Sequence, residues 1–286
     1  MLRPSTTIFD DASARRRILL TCGLRHRRLP NLLDPSRFTE LVQHRKLHDR
    51  DPLQSLRMDK LAAKAMVAEQ LGRDWTIPVL WQGRHLPDAP MVAGPIIVKA
   101  RHGCNQYAVL RTPPSAHAWL RLQRRAQSWC DRPYGLWLDE WAYRAVPRGL
   151  LAESLMGGDA LPLDYKIYVF GGRATHVQVH LDRGGRHRWV LHDRDWRQLV
   201  KAPDRPAPPA SLGAMLEAAE ILAKGMDFVR IDFYELAGKP VFGEFCLYPG
   251  SGLDPFAADW IDHELGALWL AAKSSTRAAE SIEAVA

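Results

Sequence analysis

The sequence predicts an α+β protein, on three observations. Strand-like and helix-like stretches alternate without a run of regular βαβ units, the pattern of α+β lobes. Residues 165–170 and 174–181 are two strand-like runs joined by Gly171-Gly172, a hairpin signal. Residues 228–236 and 240–248 form a second such pair around Ala237-Gly238-Lys239.

Residues 1–50 read as a basic, partly helical opening segment, punctuated by Pro30 and Asp34-Pro35. Within it Phe38, Leu41, Val42 and Leu47 sit among charges as in a short amphipathic helix. Asp59 is placed to cap a helix from Lys60 to Leu71, which Gly72 closes. Lys60 and Lys64 share one face of that helix, where like charges repel unless an anion sits opposite. Residues 78–95 are turn-rich. Ile96-Ile97-Val98-Lys99, bounded by Gly94-Pro95 and Gly103, reads as a buried strand. Residues 116–130 read as helix, 150–156 as a strand or buried segment, and 189–191 as a further strand. Four prolines make 203–209 a linker or surface loop. Ser211 opens a helix with apolar residues at 212, 215, 216, 219, 222, 223 and 226, a 3.6-residue period. From Ala271 the chain is small and polar and is expected to fray.

Composition narrows the class. The chain has 286 residues, 47% hydrophobic and 25% charged, an ordinary globular balance able to bury a large core. No stretch approaches the ~20 uninterrupted apolar residues of a membrane span. The run 18–24 is short and is followed by Arg25-His26-Arg27-Arg28, which argues against a signal peptide. Cys22, Cys104, Cys130 and Cys246 are far apart and form no CxxC, which fits reduced thiols in a cytoplasm. The net charge is +7, of which residues 1–50 carry +6. The basic character belongs to that segment alone.

The 228–248 hairpin carries the most chemistry. A three-residue turn pairs Asp232 with Glu244 and Arg230 with Cys246, all four side chains on one face. Facing carboxylates destabilise a sheet unless a cation lies between them. Hard cations such as Mg²⁺ take one or two carboxylates plus substrate phosphates. A surface hairpin with solvated charges is the alternative. Lys99, ahead of Arg101-His102-Gly103, can reach an anion or simply meet solvent. Lys166, in Asp164-Tyr165-Lys166, fits either a ligand site or the polar face of a strand. No GxxxxGK[ST] and no GxGxxG is present, so the two commonest phosphate cradles are absent. Cys104 reads as a loop cysteine rather than a nucleophile. His176 and His180 share a strand face but stand ~13 Å apart, too far to share a metal. The ten tryptophans read mainly as core residues, with a stacking platform as the minority use.

Together these segments resemble an ATP-grasp protein. Residues 229–235 and 242–250, with Arg230, Asp232, Glu244 and Pro249-Gly250, are similar to the magnesium-binding strands of D-alanine–D-alanine ligases. The closer resemblance is to the TupA-like ATP-grasp family of bacterial polysaccharide and teichuronopeptide biosynthesis. It rests on the segment 31–40, Met58-Asp59-Lys60, Ile77-Pro78, Val98-Lys99 with His102-Gly103, Ala152-Glu153, Asp164-Tyr165-Lys166 and Tyr248-Pro249-Gly250-Ser251-Gly252, in order over residues 30–266. The resemblance implies two α+β lobes holding ATP between them, with Mg²⁺. Lys99 and Lys166 would hold the phosphates, Glu153-Ser154-Leu155 would be the hinge meeting adenine, and Asp159 would hold the ribose. Asp232 and Glu244 would be the metal carboxylates. Arg230 would stabilise the anionic transition state, and Arg183 would face the transferred phosphate or an acidic substrate. Cys246 departs from the family, standing where many such ligases place an asparagine ligand.

The expected division is a basic segment 1–55, a part with the first lobe 56–160, a second lobe 161–270 with the metal-binding hairpin, and a tail 271–286. The expected function is an ATP-dependent carboxylate–amine ligase of surface polysaccharide or peptide-conjugate synthesis, taking acid- and amine-bearing substrates. A glycan kinase on the same site is the second reading. A polyanion-binding protein acting through the arginines of residues 15–28 is the third.

Overall fold

The computed structural model describes residues 11–283 apart from 92–93, 158–160, 183–184 and 186. The chain opens with helix α1 (Asp11–His26), which stops where Arg27 turns left-handed at φ +55°. Helix α2 (Phe38–His48) follows, then α3 (Pro52–Met58), capped by Asp51 with proline in its first turn. Helix α4 (Lys60–Leu71) has the expected bounds: the Asp59 side chain accepts from Leu61 N–H, and Gly72 ends it at φ +99°.

The first sheet is antiparallel. It joins β1 (Val79–Gly83), β2 (Ile96–Ala100), β3 (Tyr107–Leu110) and β4 (Leu150–Ser154) in the order β1-β4-β2-β3. Alternation along β2 buries Ile96, Val98 and Ala100 in one cluster. Helix α5 (Ala116–Asp131) covers that face with Trp119, Leu122, Ala126 and Trp129.

The second sheet holds the larger core. Strands β5 (Asp164–Phe170) and β6 (Arg173–Leu181) form the Gly171-Gly172 hairpin, and β7 (Arg188–Asp193) extends it. After the proline loop and helix α6 (Leu212–Leu222) come β8 (Phe228–Leu236) and β9 (Lys239–Cys246). The order is β7-β6-β5-β8-β9, antiparallel throughout. Helix α7 (Asp259–Glu283) is the last described element and runs through the segment from Ala271 expected to fray.

Two further expectations need correcting. Helix α2 is not amphipathic: nine of its eleven residues are buried, Glu40, Arg45 and Lys46 included. It lies between the second sheet and α7, with the Phe38 ring 5.0 Å from Phe228 and 5.5 Å from Trp269. Its buried cations Arg45 and Lys46 have distant partners. Arg45 Nη1 donates to Phe228 O at 3.0 Å, and the guanidinium lies 4.4 Å from the Trp269 ring. Helix α4, grouped in the sequence with the first lobe, puts Ala63 and Val67, with Met58 of α3, into the second sheet's core.

Candidate active site

The β8–β9 register is as expected at the site but arises differently. The turn has two residues, not three. Ala237 (φ +50°) and Gly238 (φ +75°) join Leu236 to its partner Lys239. A bulge between Asp232 and Phe233 then absorbs Gly243 and restores Asp232 opposite Glu244 and Arg230 opposite Cys246. At Gly243 a side-chain carbon would lie 3.0 Å from Asp232 O, a tight contact that favours glycine in the bulge.

The ladder lines up two rows across the sheet. Gln178, Lys166, Asp232 and Glu244 form one; Tyr168, Arg230 and Cys246 form the next. Arg230 grips Asp232 with both nitrogens, Nε to Oδ1 at 2.7 Å and Nη2 to Oδ2 at 2.8 Å. Lys166 Nζ also donates to Asp232 and sits 2.7 Å from Asp164 Oδ2. Asp232 is only 1% exposed. Burial alone would raise its carboxyl, but Arg230 and Lys166 outweigh that and hold it at about 2. Burial lowers the Lys166 ammonium, and Asp232 and Asp164 more than reverse this.

Glu244 stands at the rim, with its side chain 32% exposed and an oxygen 3.8 Å from Lys60 Nζ. The lysine also donates to Gly103 O at 2.7 Å. Across the cleft, Lys99 and Lys64 each place an ammonium 2.7 Å from opposite oxygens of Glu153. Glu153 is 1% exposed; burial pushes its carboxyl up, and the two lysines pull it below the ordinary value. The Lys60/Lys64 pair of α4 thus finds carboxylates opposite, as its spacing required.

Of these groups Lys60, Lys99, Asp164, Lys166, Arg230 and Glu244, but not Asp232, line one cleft of about 940 Å³, near the upper end of small-molecule sites at roughly 300–1,000 Å³. Lys99, Ser154 and Leu155 line it from the first sheet, and Lys166, Arg230, Glu244 and Cys246 from the second. Glu153 does not line it; its carboxylate sits behind Lys99. Leu155 N–H is already spent on Pro95 O at 3.0 Å. Asp159 and Arg183 lie outside the described residues.

Three groups escaped the sequence reading. Asp164, quoted only as part of the Asp164-Tyr165-Lys166 motif and given no role of its own, supports Lys166. His180 and His187 line the cleft, 2.8 Å apart from Nδ1 to Nε2. Burial, then Lys166 and Arg230, push His180 down to about 2, so it is neutral. Cys104 is no nucleophile: burial pushes its thiol up to about 11, and its sulfur lies 3.1 Å from the Tyr143 hydroxyl.

The donor set suits Mg²⁺ on oxygen chemistry. Glu244 faces the cleft, and Asp232 lies across from it in the ladder. Cys246 adds no donor, because burial raises its thiol and Mg²⁺ prefers oxygen. Among the described residues no three His, Cys, Asp or Glu side chains come together as a metal cluster.

A family model described as TupA-like ATPgrasp matches residues 40–270. No curated protein matches the sequence significantly. Among solved structures, the chain is similar to D-alanine–D-alanine ligase from Bacillus anthracis, at 12% identity and TM-score 0.46, covering 79% of this chain and 70% of that one. The D-alanine–D-alanine ligase from Helicobacter pylori gives 13% and 0.45, covering 81% and 66%. An L-amino acid ligase from Bacillus licheniformis gives 14% and 0.43, covering 71% and 43%. Against the ATP complex of the Bacillus anthracis enzyme the chain spans about half, 53%, of that protein. The family match runs through both sheets and every cleft wall that carries a predicted residue. The chain therefore belongs to the TupA-like ATP-grasp family.

Proposed function

We propose that the protein joins a carboxylate to an amine through an acyl phosphate, at the expense of ATP. One observation carries this reading: Lys99 from one sheet and Lys166 with Arg230 from the other face a single cleft, with the Glu244 carboxylate on the same wall. Cations on two sides and an oxygen donor between them are what a polyphosphate with a hard cation requires.

In the first step a substrate carboxylate oxygen attacks the γ-phosphorus. The bond to the β–γ bridging oxygen breaks, and ADP leaves. In the second step an amine attacks the acyl carbon and gives up a proton, and inorganic phosphate leaves. Both steps build charge on oxygens, so positioning and electrostatics dominate. Lys99 and Lys166 hold phosphate oxygens from opposite lobes, and Arg230 meets the developing oxyanion. Ser154-Leu155 would meet adenine, while Glu153 holds Lys99 and Lys64 in place. Asp159 takes the ribose, and Arg183 the transferred phosphate or the acid. Mg²⁺, held by Asp232 and Glu244, would offset phosphate charge. The physiological setting we propose is cytoplasmic synthesis of a surface polysaccharide or peptide conjugate, supported by the family resemblance and by four unpaired cysteines.

The test is Mg²⁺-dependent ADP release across a panel of acids and amines. Glu244→Gln should lower it at least about a hundredfold. Unchanged turnover would sink the reading. Free phosphate in the product mixture marks a ligase; phosphate retained on the product marks a kinase.

A further inference from the structure

We propose that residues 15–33 form a docking surface for an anionic lipid bilayer. Arg16, Leu20 and Leu24 follow one another at i, i+4 and i+8, one outward row of α1. Leu20 is 69% exposed and Leu24 77%. Leu29, 72% exposed, folds back beside Gly23, and Leu33 is 89% exposed. A single exposed leucine is ordinary; four within fourteen residues are not.

The row is firmly mounted. The inner side of α1 packs Ala14, Ile18 and Cys22 against Leu32 and Leu47. Arg17 Nη2 lies 2.6 Å from the buried Asp139, and His26 Nε2 2.9 Å from Gly252 O. Leu20 and Leu24 therefore belong to the fixed outer face of a packed helix, and Leu29 and Leu33 to the segment that follows it.

Charge selects the occupant. Residues 15–33 hold six arginines and no Asp or Glu. Arg17, Arg25 and Arg28 meet Asp139, Asp254, and Glu40 with Asp262. Arg16 and Arg27 stand exposed among the leucines. Leucines ringed by arginine suit the boundary between acyl chains and anionic headgroups. A nucleic acid would use the arginines but not the leucines. A second copy would bury the leucines but set arginine against arginine. The helix does not span, since no described helix is long and apolar enough. Trp137, 66% exposed on the 136–138 turn that contacts α1, adds an indole suited to the same boundary. Leu24 and Trp137 also line the cleft, so docking would bring its mouth to the bilayer.

The test is cosedimentation of the full chain with vesicles of phosphatidylcholine alone or with about one third phosphatidylglycerol. The wild type should pellet with the anionic vesicles only, and less as salt rises. Leu20→Glu/Leu29→Glu should weaken binding at least about tenfold, and Arg16→Glu/Arg27→Glu should do likewise. Melting temperature and ADP release should not change in either, because none of these side chains lines the cleft. Equal pelleting of variant and wild type overturns the proposal. So does binding of a DNA oligonucleotide without vesicle pelleting, or a dimer that the leucine variant abolishes without vesicle binding.

Discussion

Asp232 and Glu244 face each other, yet their surroundings make them unequal. Asp232 is buried and gripped by Arg230 and Lys166, whereas Glu244 is a third exposed. Asp232→Asn leaves the buried Arg230 without its anion and Lys166 with Asp164 alone, and should cost about 3–5 kcal/mol. Glu244→Gln should lower activity with little change in melting. Denaturant titration of both variants separates stability from chemistry. Acid adds a second check. The Asp232 carboxyl titrates at about 2, below the unfolded value near 3.9. A depressed carboxyl stabilises the fold above the unfolded value, and this is lost as pH falls from about 4 to about 2. Melts across that window should show a steeper acid limb in the wild type than in Asp232→Asn.

Hairpin β8–β9 shows what a sequence can and cannot specify about an element. Its strands and the pairing of Asp232 with Glu244 were legible from alternation around a turn. The turn length was not, and one residue of error there was offset by the bulge at Gly243, which has no distinct local signature. Ala237 holds a left-handed φ that favours Gly or Asn. Ala237→Asn should therefore raise stability by about 0.5–1 kcal/mol, read as a higher melting temperature with unchanged Mg²⁺-dependent activity. Helix α4 was legible to the residue because its stop signals, Asp59 and Gly72, are local. Helix α2 was not, because the partners of its buried cations Arg45 and Lys46 lie about two hundred residues away in Asp227 and Ser251. The partnership of Glu153 with Lys64 and Lys99 was hidden for the same reason.

At the scale of the molecule, the basic N-terminal segment turns out to be partly structural. Arginines that looked like a polyanion tail reach carboxylates on distant elements and tie α1 to the wall of the cleft. Arg17→Ala strips Asp139 of its bidentate partner, and Asp139 is 2% exposed. Amides of α1 should then exchange faster, while those of β5 and β8 keep their protection. Equal exchange in wild type and variant would show that α1 is held by its apolar side alone. The two-lobed cleft was legible because its lysines and carboxylates sit on well-marked strands; the docking of α1 onto it was not, since ion pairs over such separations leave no periodicity.

The bulge at Gly243 gives the β8–β9 hairpin a parity. Side chains alternate, so each residue gained or lost between Asp232 and Glu244 moves Glu244 to the opposite face of the sheet. A single deletion would send that carboxylate into the core side, and a second change in the same arm would return it. Length variation in this arm among functioning relatives should come in even steps, or with a compensating bulge.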